Sequence, residues 1–166
     1  MKRHIILIVL LFSGVLLQTT VFHSLPYNIS PDISLIMLIC FSFRYGSQTS
    51  QFSGFIAGLL EDLLSLSPLG FNSFIKTIIG FFTGIFHERL LMDPIVFPII
   101  STAVVTLAKG LLSLLLIELF KIPLSAAKIF SNGFLIELLV NAFLAPLVFL
   151  LMRFILDRLL PDRKAL

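Results

Sequence analysis

The chain has 166 residues, 58% of them hydrophobic and only 13% charged, with a formal net charge of +3. That composition, with a mean hydropathy of +1.08, excludes an ordinary water-soluble domain, which needs a far more charged shell. The basic residues do not cluster with aromatics as a nucleic-acid surface requires; they mark the ends of apolar runs, as orientation signals do.

Six apolar stretches fill the chain. Each is long enough, or nearly so, to cross hydrocarbon as a helix, which satisfies every backbone group internally. The first runs from about His4 to Phe22 behind Met1-Lys2-Arg3. A basic start and an apolar run also describe a signal peptide. The run closes on Gln18-Thr19-Thr20 with no small-x-small cleavage site, so it reads as an uncleaved helix. Residues 23–30, with His23, Pro26, Tyr27 and Asn28, form a turn-rich connection. Pro31-Asp32 opens the second span, where proline suits a first helical turn because its missing N–H has no partner there. That span ends at Phe43-Arg44-Tyr45-Gly46.

The third span covers about Gln51 to Leu66 and the fourth about Leu69 to Phe86, joined by a turn through Ser67, Pro68 and Gly70. His87-Glu88-Arg89 closes the fourth, Asp93-Pro94 begins the fifth, and the fifth reaches about Phe120. The last runs from about Ser131 to Arg153, ahead of a charged tail. Spans two to four are short, roughly 22–27 Å at a rise of about 1.5 Å per residue. Spans three and four therefore read as two crossings, with a re-entrant hairpin as the alternative.

Orientation follows from Lys and Arg at alternate ends. One side collects Lys2, Arg3, Arg44, Arg89, Arg153, Arg158, Arg163 and Lys164; the other collects Lys121 and Lys128. That asymmetry places both termini in the cytoplasm. The expected fold is an all-α integral membrane bundle of six transmembrane helices, a single polytopic domain over residues 1–166. The single cysteine, Cys40, reads as a packing residue and rules out a disulfide within one chain.

Gly54-Phe-Ile-Ala-Gly58 and Gly80-Phe-Phe-Thr-Gly84 both carry the GxxxG spacing, which puts two glycines on one helix face and lets backbones approach. The seam joins spans three and four internally, or it joins a second copy or another partner. Ionisable groups inside spans are costly and so demand partners. Asp62 and Lys76 fall at similar depth on neighbouring helices, and an ion pair between them is expected to lock the hairpin. Lys109 is within reach of Asn141, or lines a polar cavity; Glu118 and Glu137 lie towards outer helix ends. No metal or cofactor site is expected, since His4, His23 and His87 are scattered. No catalytic constellation emerges either: the neighbours Glu61 and Asp62 point about 100° apart.

Four local patterns together resemble the bacterial rod shape-determining MreD family. They are Pro31-Asp32-Ile-Ser-Leu-Ile-Met-Leu-Ile, Arg44-Tyr45-Gly46, Gly54-Phe-Ile-Ala-Gly58-Leu-Leu-Glu-Asp62 and Ser67-Pro68-Leu69-Gly70-Phe71-Asn72. The resemblance implies a non-catalytic, multi-pass protein of the bacterial inner membrane, a scaffold of the cell-elongation machinery (the elongasome) that maintains rod shape. It implies MreC as partner, through its membrane helix and the adjoining periplasmic segment. RodA, a class B penicillin-binding protein and MreB follow indirectly, as agents of peptidoglycan synthesis. Pro31, Asp32, Asp62 and the Pro68–Gly70 turn map to the outer side, where they are candidates for shaping a groove for that partner. The same family is related in architecture to the six-helix substrate-binding components of energy-coupling-factor transporters. The rival expectation is accordingly a vitamin-type transporter component, with Lys76, Glu118 and Glu137 lining a cavity.

Overall fold

The computed structural model describes residues 2–21, 31–65, 67–87, 93–122 and 132–160, and all the regular structure among them is helical. Five helices follow in chain order: α1 (Lys2–Val21), α2 (Ile33–Leu64), α3 (Phe71–Ile85), α4 (Val96–Phe120) and α5 (Asn132–Leu159). Three of them hold stretches long and apolar enough to cross a membrane, at Arg3–Thr20, Val96–Phe120 and Gly133–Leu159. The connection at 23–30, and Arg89, Lys128, Arg163 and Lys164 of the charge count, lie outside the described residues.

Helix α2 unites the second and third predicted spans, so the described helices number five where the hydropathy pattern gave six. The reason is Gly46, which breaks the helix with φ 78° and ψ 178°. Glycine alone adopts that conformation without a Cβ penalty. The reversal occurs at this residue and needs no loop: Ser34 at the start of α2 hydrogen-bonds Glu61 near its end, and Leu38 packs beside Gly54. The two arms are antiparallel. Carbonyls freed at the break find partners, since Ser50 Oγ donates to Gly46 O at 2.8 Å and His87 Nδ1 donates to Phe43 O at 3.0 Å.

The first arm of α2 is the centre of the molecule, with every residue from 34 to 43 buried. A helix apolar on all sides belongs in such a place. One side of it packs with Leu7 and Leu11 of α1 and Ala145, Val148 and Met152 of α5. The other packs with Ile75 and Ile79 of α3 and Val105 and Leu116 of α4. Outward-facing residues are large and apolar, among them Leu139, Phe143 (87% exposed) and Leu147 along α5. Such a surface suits lipid and not water.

The second arm of α2 and α3 meet backbone to backbone. A Cβ at Gly58 would sit 2.4 Å from Ser73 Cα, and one at Gly54 would sit 2.3 Å from Lys76 O. Reciprocally, one at Gly80 would lie 2.5 Å from Ser50 O, and one at Gly84 would lie 2.4 Å from Ser47 Cα. The two GxxxG faces thus close on each other, and neither is left for a second copy of the chain.

The start of α1 and the end of α5 both lie at the Gly46 end of the bundle. Near the start of α1, Arg3 donates to Thr49 at 3.4 Å and lies over the Tyr45 ring. Near the end of α5, Asp157 pairs with Arg44 at 2.6 Å.

Candidate functional site

At the opposite end of the central arm, Asp32 caps α2. Its Oδ1 accepts from Leu35 N at 2.9 Å, satisfying one of the N–H groups a helix start leaves open. Pro31 therefore precedes the cap and does not occupy the first turn as expected. The carboxylate of Asp32 is 2% exposed and meets two lysines: Lys76 of α3 at 2.9 Å on Oδ1 and Lys109 of α4 at 2.7 Å on Oδ2. Lys76, with no exposed surface, also pairs with Glu61 of the second α2 arm. Lys109 also pairs with Glu137 of α5 at 2.9 Å. Ser34 Oγ accepts from Lys76 and lies 3.1 Å from Asp32 Oδ1.

The network extends through neutral groups. Asp32 N donates to Asn141 Oδ1 of α5 at 2.9 Å, and Asn141 Nδ2 donates to Thr106 Oγ1 of α4 at 3.4 Å. Ser34 N donates to Gln18 Oε1 of α1 at 3.4 Å. Every helix contributes a side chain. An isolated ion at mid-membrane costs about 3 kcal/mol on insertion scales, so the lysines and carboxylates are tolerable only in each other's company. Three carboxylates face two ammonium groups, and the more accessible edge of the cluster is the Lys109–Glu137 pair, whose side chains are 20% and 24% exposed.

The expected Asp62–Lys76 pair is not formed. Asp62 turns to the start of α3, accepting from Gly70 N at 2.9 Å, Asn72 N at 3.0 Å and Ser73 N at 3.2 Å. Asn72 Nδ2 and Ser73 Oγ donate to it as well. Adjacent helical residues diverge by about 100°, so only one of Glu61 and Asp62 can face Lys76. The exposed N–H groups and positive dipole end of α3 take the other. Asn141 likewise sits in the same network as Lys109, but its partners are Asp32 and Thr106.

The remaining candidates occupy separate places. Arg44 reaches Asp157 at the far end of the bundle. Gly54, Gly58, Gly80 and Gly84 form the α2–α3 seam. Pro68, Leu69 and Gly70 form the exposed turn before α3, with Gly70 at φ 93°. Glu118 is exposed on α4. The central role of Asp32 was not anticipated, although an acid placed just ahead of a long, mostly apolar run was its visible signal. Among the described residues no group of three or more His, Cys, Asp or Glu side chains is arranged to hold a metal ion.

No match was found among curated proteins or among solved structures. The family described as rod shape-determining protein MreD matches residues 1–155. That match covers nearly the whole chain, all five helices but the last few residues of α5 included. The chain belongs to the MreD family, membrane proteins that act in determining rod cell shape.

Proposed function

We propose that this protein is a non-catalytic, multi-pass scaffold of the bacterial inner membrane, with both termini in the cytoplasm, that maintains rod shape by binding MreC. Through MreC it helps to regulate peptidoglycan synthesis, with RodA, the class B penicillin-binding protein and MreB engaged indirectly. The observation that carries this reading is the turn at residues 67–70. Asp62 anchors it, through Gly70 N and the amides just beyond, in a fixed shape. Leu69 is nevertheless 71% exposed, beside exposed Leu63, Leu64 and Phe74. A rigid apolar knuckle at the end of the bundle away from Gly46 suits contact with a partner's helix and the segment leaving it. Asp62 supports that surface from within, and neither it nor Asp32 faces outward, at 3% and 2% exposed.

The test is recovery of MreC with the detergent-extracted protein. Leu69→Asp is expected to lower MreC recovery severalfold, leave the amount of folded protein unchanged, and give rounded cells when it is the sole copy. Unchanged MreC recovery with Leu69→Asp would remove the turn from the interface. Normal rods after clean deletion, with no MreC captured by wild type, would remove the function. The transporter alternative needs Lys76 and Glu137 free to hold a ligand, whereas both carry ion-pair partners.

A further inference from the structure

Between α3 and α4 runs an open groove of about 710 Å³, walled by Ile78, Phe82, Ile100, Val104, Ala108 and Leu111 among others. Its two polar side chains are turned to their own helices: Thr83 Oγ1 donates to Ile79 O at 2.6 Å and Ser101 Oγ to Phe97 O at 2.7 Å. The wall offers an occupant only apolar contact.

The lining of this groove shares Phe43 and Phe97 with a second cavity of about 440 Å³, at the end of the bundle where α4 starts and α5 finishes. The two rings stand edge to face at 4.8 Å and form the sill between the spaces. The second cavity is walled largely by apolar residues but carries four charged side chains, Arg44, Asp93, Arg153 and Asp157. Arg44 and Asp157 neutralise each other. Arg153 and Asp93 are exposed, and no hydrogen bond or ion pair holds either among the described residues. Among the described residues, and beyond the Arg44–Asp157 pair, the mouth therefore presents one accessible cation and one accessible anion beside the apolar groove. Each volume lies in the ordinary range for a ligand site, about 300–1,000 Å³.

We infer that the mouth and groove together bind one glycerophospholipid with a zwitterionic, proton-donating headgroup of the phosphatidylethanolamine type. Its phosphodiester meets Arg153, its primary ammonium meets Asp93, and an acyl chain passes the Phe43–Phe97 sill into the α3–α4 groove. A purely anionic headgroup satisfies Arg153 but brings like charge to Asp93. A choline headgroup carries the positive charge yet has no N–H to donate. A partner's helix would fill the apolar groove but leave the two exposed charges at the mouth, Arg153 and Asp93, unexplained.

Native mass spectrometry of the detergent-purified protein, titrated with phosphatidylethanolamine, phosphatidylcholine or phosphatidylglycerol of matched chains, tests this. Wild type is expected to retain one phosphatidylethanolamine roughly tenfold better than either other lipid, the effect of one hydrogen bond to a charged group. Asp93→Asn is expected to abolish that preference and improve phosphatidylglycerol binding. Arg153→Gln should weaken all three lipids, and Ala108→Phe, which fills the groove, should do likewise. Equal retention of the three by wild type, preference for phosphatidylglycerol, or a preference that survives Asp93→Asn would each overturn the inference. Asp93 and Arg153 lie on the surface, so their variants keep the fold and the result reads binding.

Discussion

Asp32 accepts from two ammonium groups on different helices and from the backbone of its own. Removing any one partner leaves buried charge without compensation. For Lys76→Ala, which strands Glu61 beside Asp32, the expected loss is about 3–5 kcal/mol, the usual result of breaking a buried pair from one side. Thermal unfolding in detergent measures it. The double variant Lys76→Met with Glu61→Gln should recover much of that loss; no recovery would mean that Glu61 is not a true partner. The sequence made these residues conspicuous, because any ionisable group inside an apolar run is anomalous. It did not disclose who pairs with whom. Glu61 and Asp62 look equivalent on paper, and only the rotation of α2 about its axis decides which faces Lys76 and which faces the start of α3.

The α2–α3 hairpin shows how a spacing becomes a register. Gly54 and Gly58 meet Lys76 and Ser73, while Gly80 and Gly84 meet Ser50 and Ser47, so backbone atoms fill the space that side chains would need. Even the smallest substitution is intolerable here. Gly58→Ala places its methyl against Ser73 backbone and is expected to destabilise the hairpin by about 3 kcal/mol or more, the upper end of what overpacking costs. Gly70→Ala meets no neighbour at all and should cost only the penalty of its left-handed backbone, about 1–2 kcal/mol. Equal effects of the two on melting temperature would refute the close seam. The glycine pattern was legible in advance. The one-residue reversal at Gly46 was not, because Ser47, Gln48, Thr49 and Ser50 read as a polar link between spans. They are helical, and their polarity is used locally: Thr49 accepts from Arg3 and Ser50 covers the open Gly46 carbonyl.

For the molecule as a whole, the helices α1, α4 and α5 were legible from hydropathy and length alone, although α5 continues past the expected end at Arg153 to Leu159. Their mutual arrangement required the contacts of the central α2 arm. The start of α1 and the end of α5 lie together beside Gly46, whereas the side of the membrane they face is an expectation from the distribution of Lys and Arg. Cysteine labelling in oriented vesicles examines this directly. Arg158→Cys is expected to react only from the cytoplasmic face and Leu69→Cys only from the outer face, with the native Cys40 shielded by burial. Labelling of both from one face would invalidate the transmembrane arrangement.

One consequence of the shared aspartate reaches beyond stability. An ordinary ion pair survives reversal of both its members, which lets related proteins drift by trading acid for base. Here a reciprocal trade between Asp32 and Lys76 would set the new lysine against Lys109 and the new acid against Glu61. No two-step exchange leads out of the cluster, so its polarity is frozen unless several helices change together.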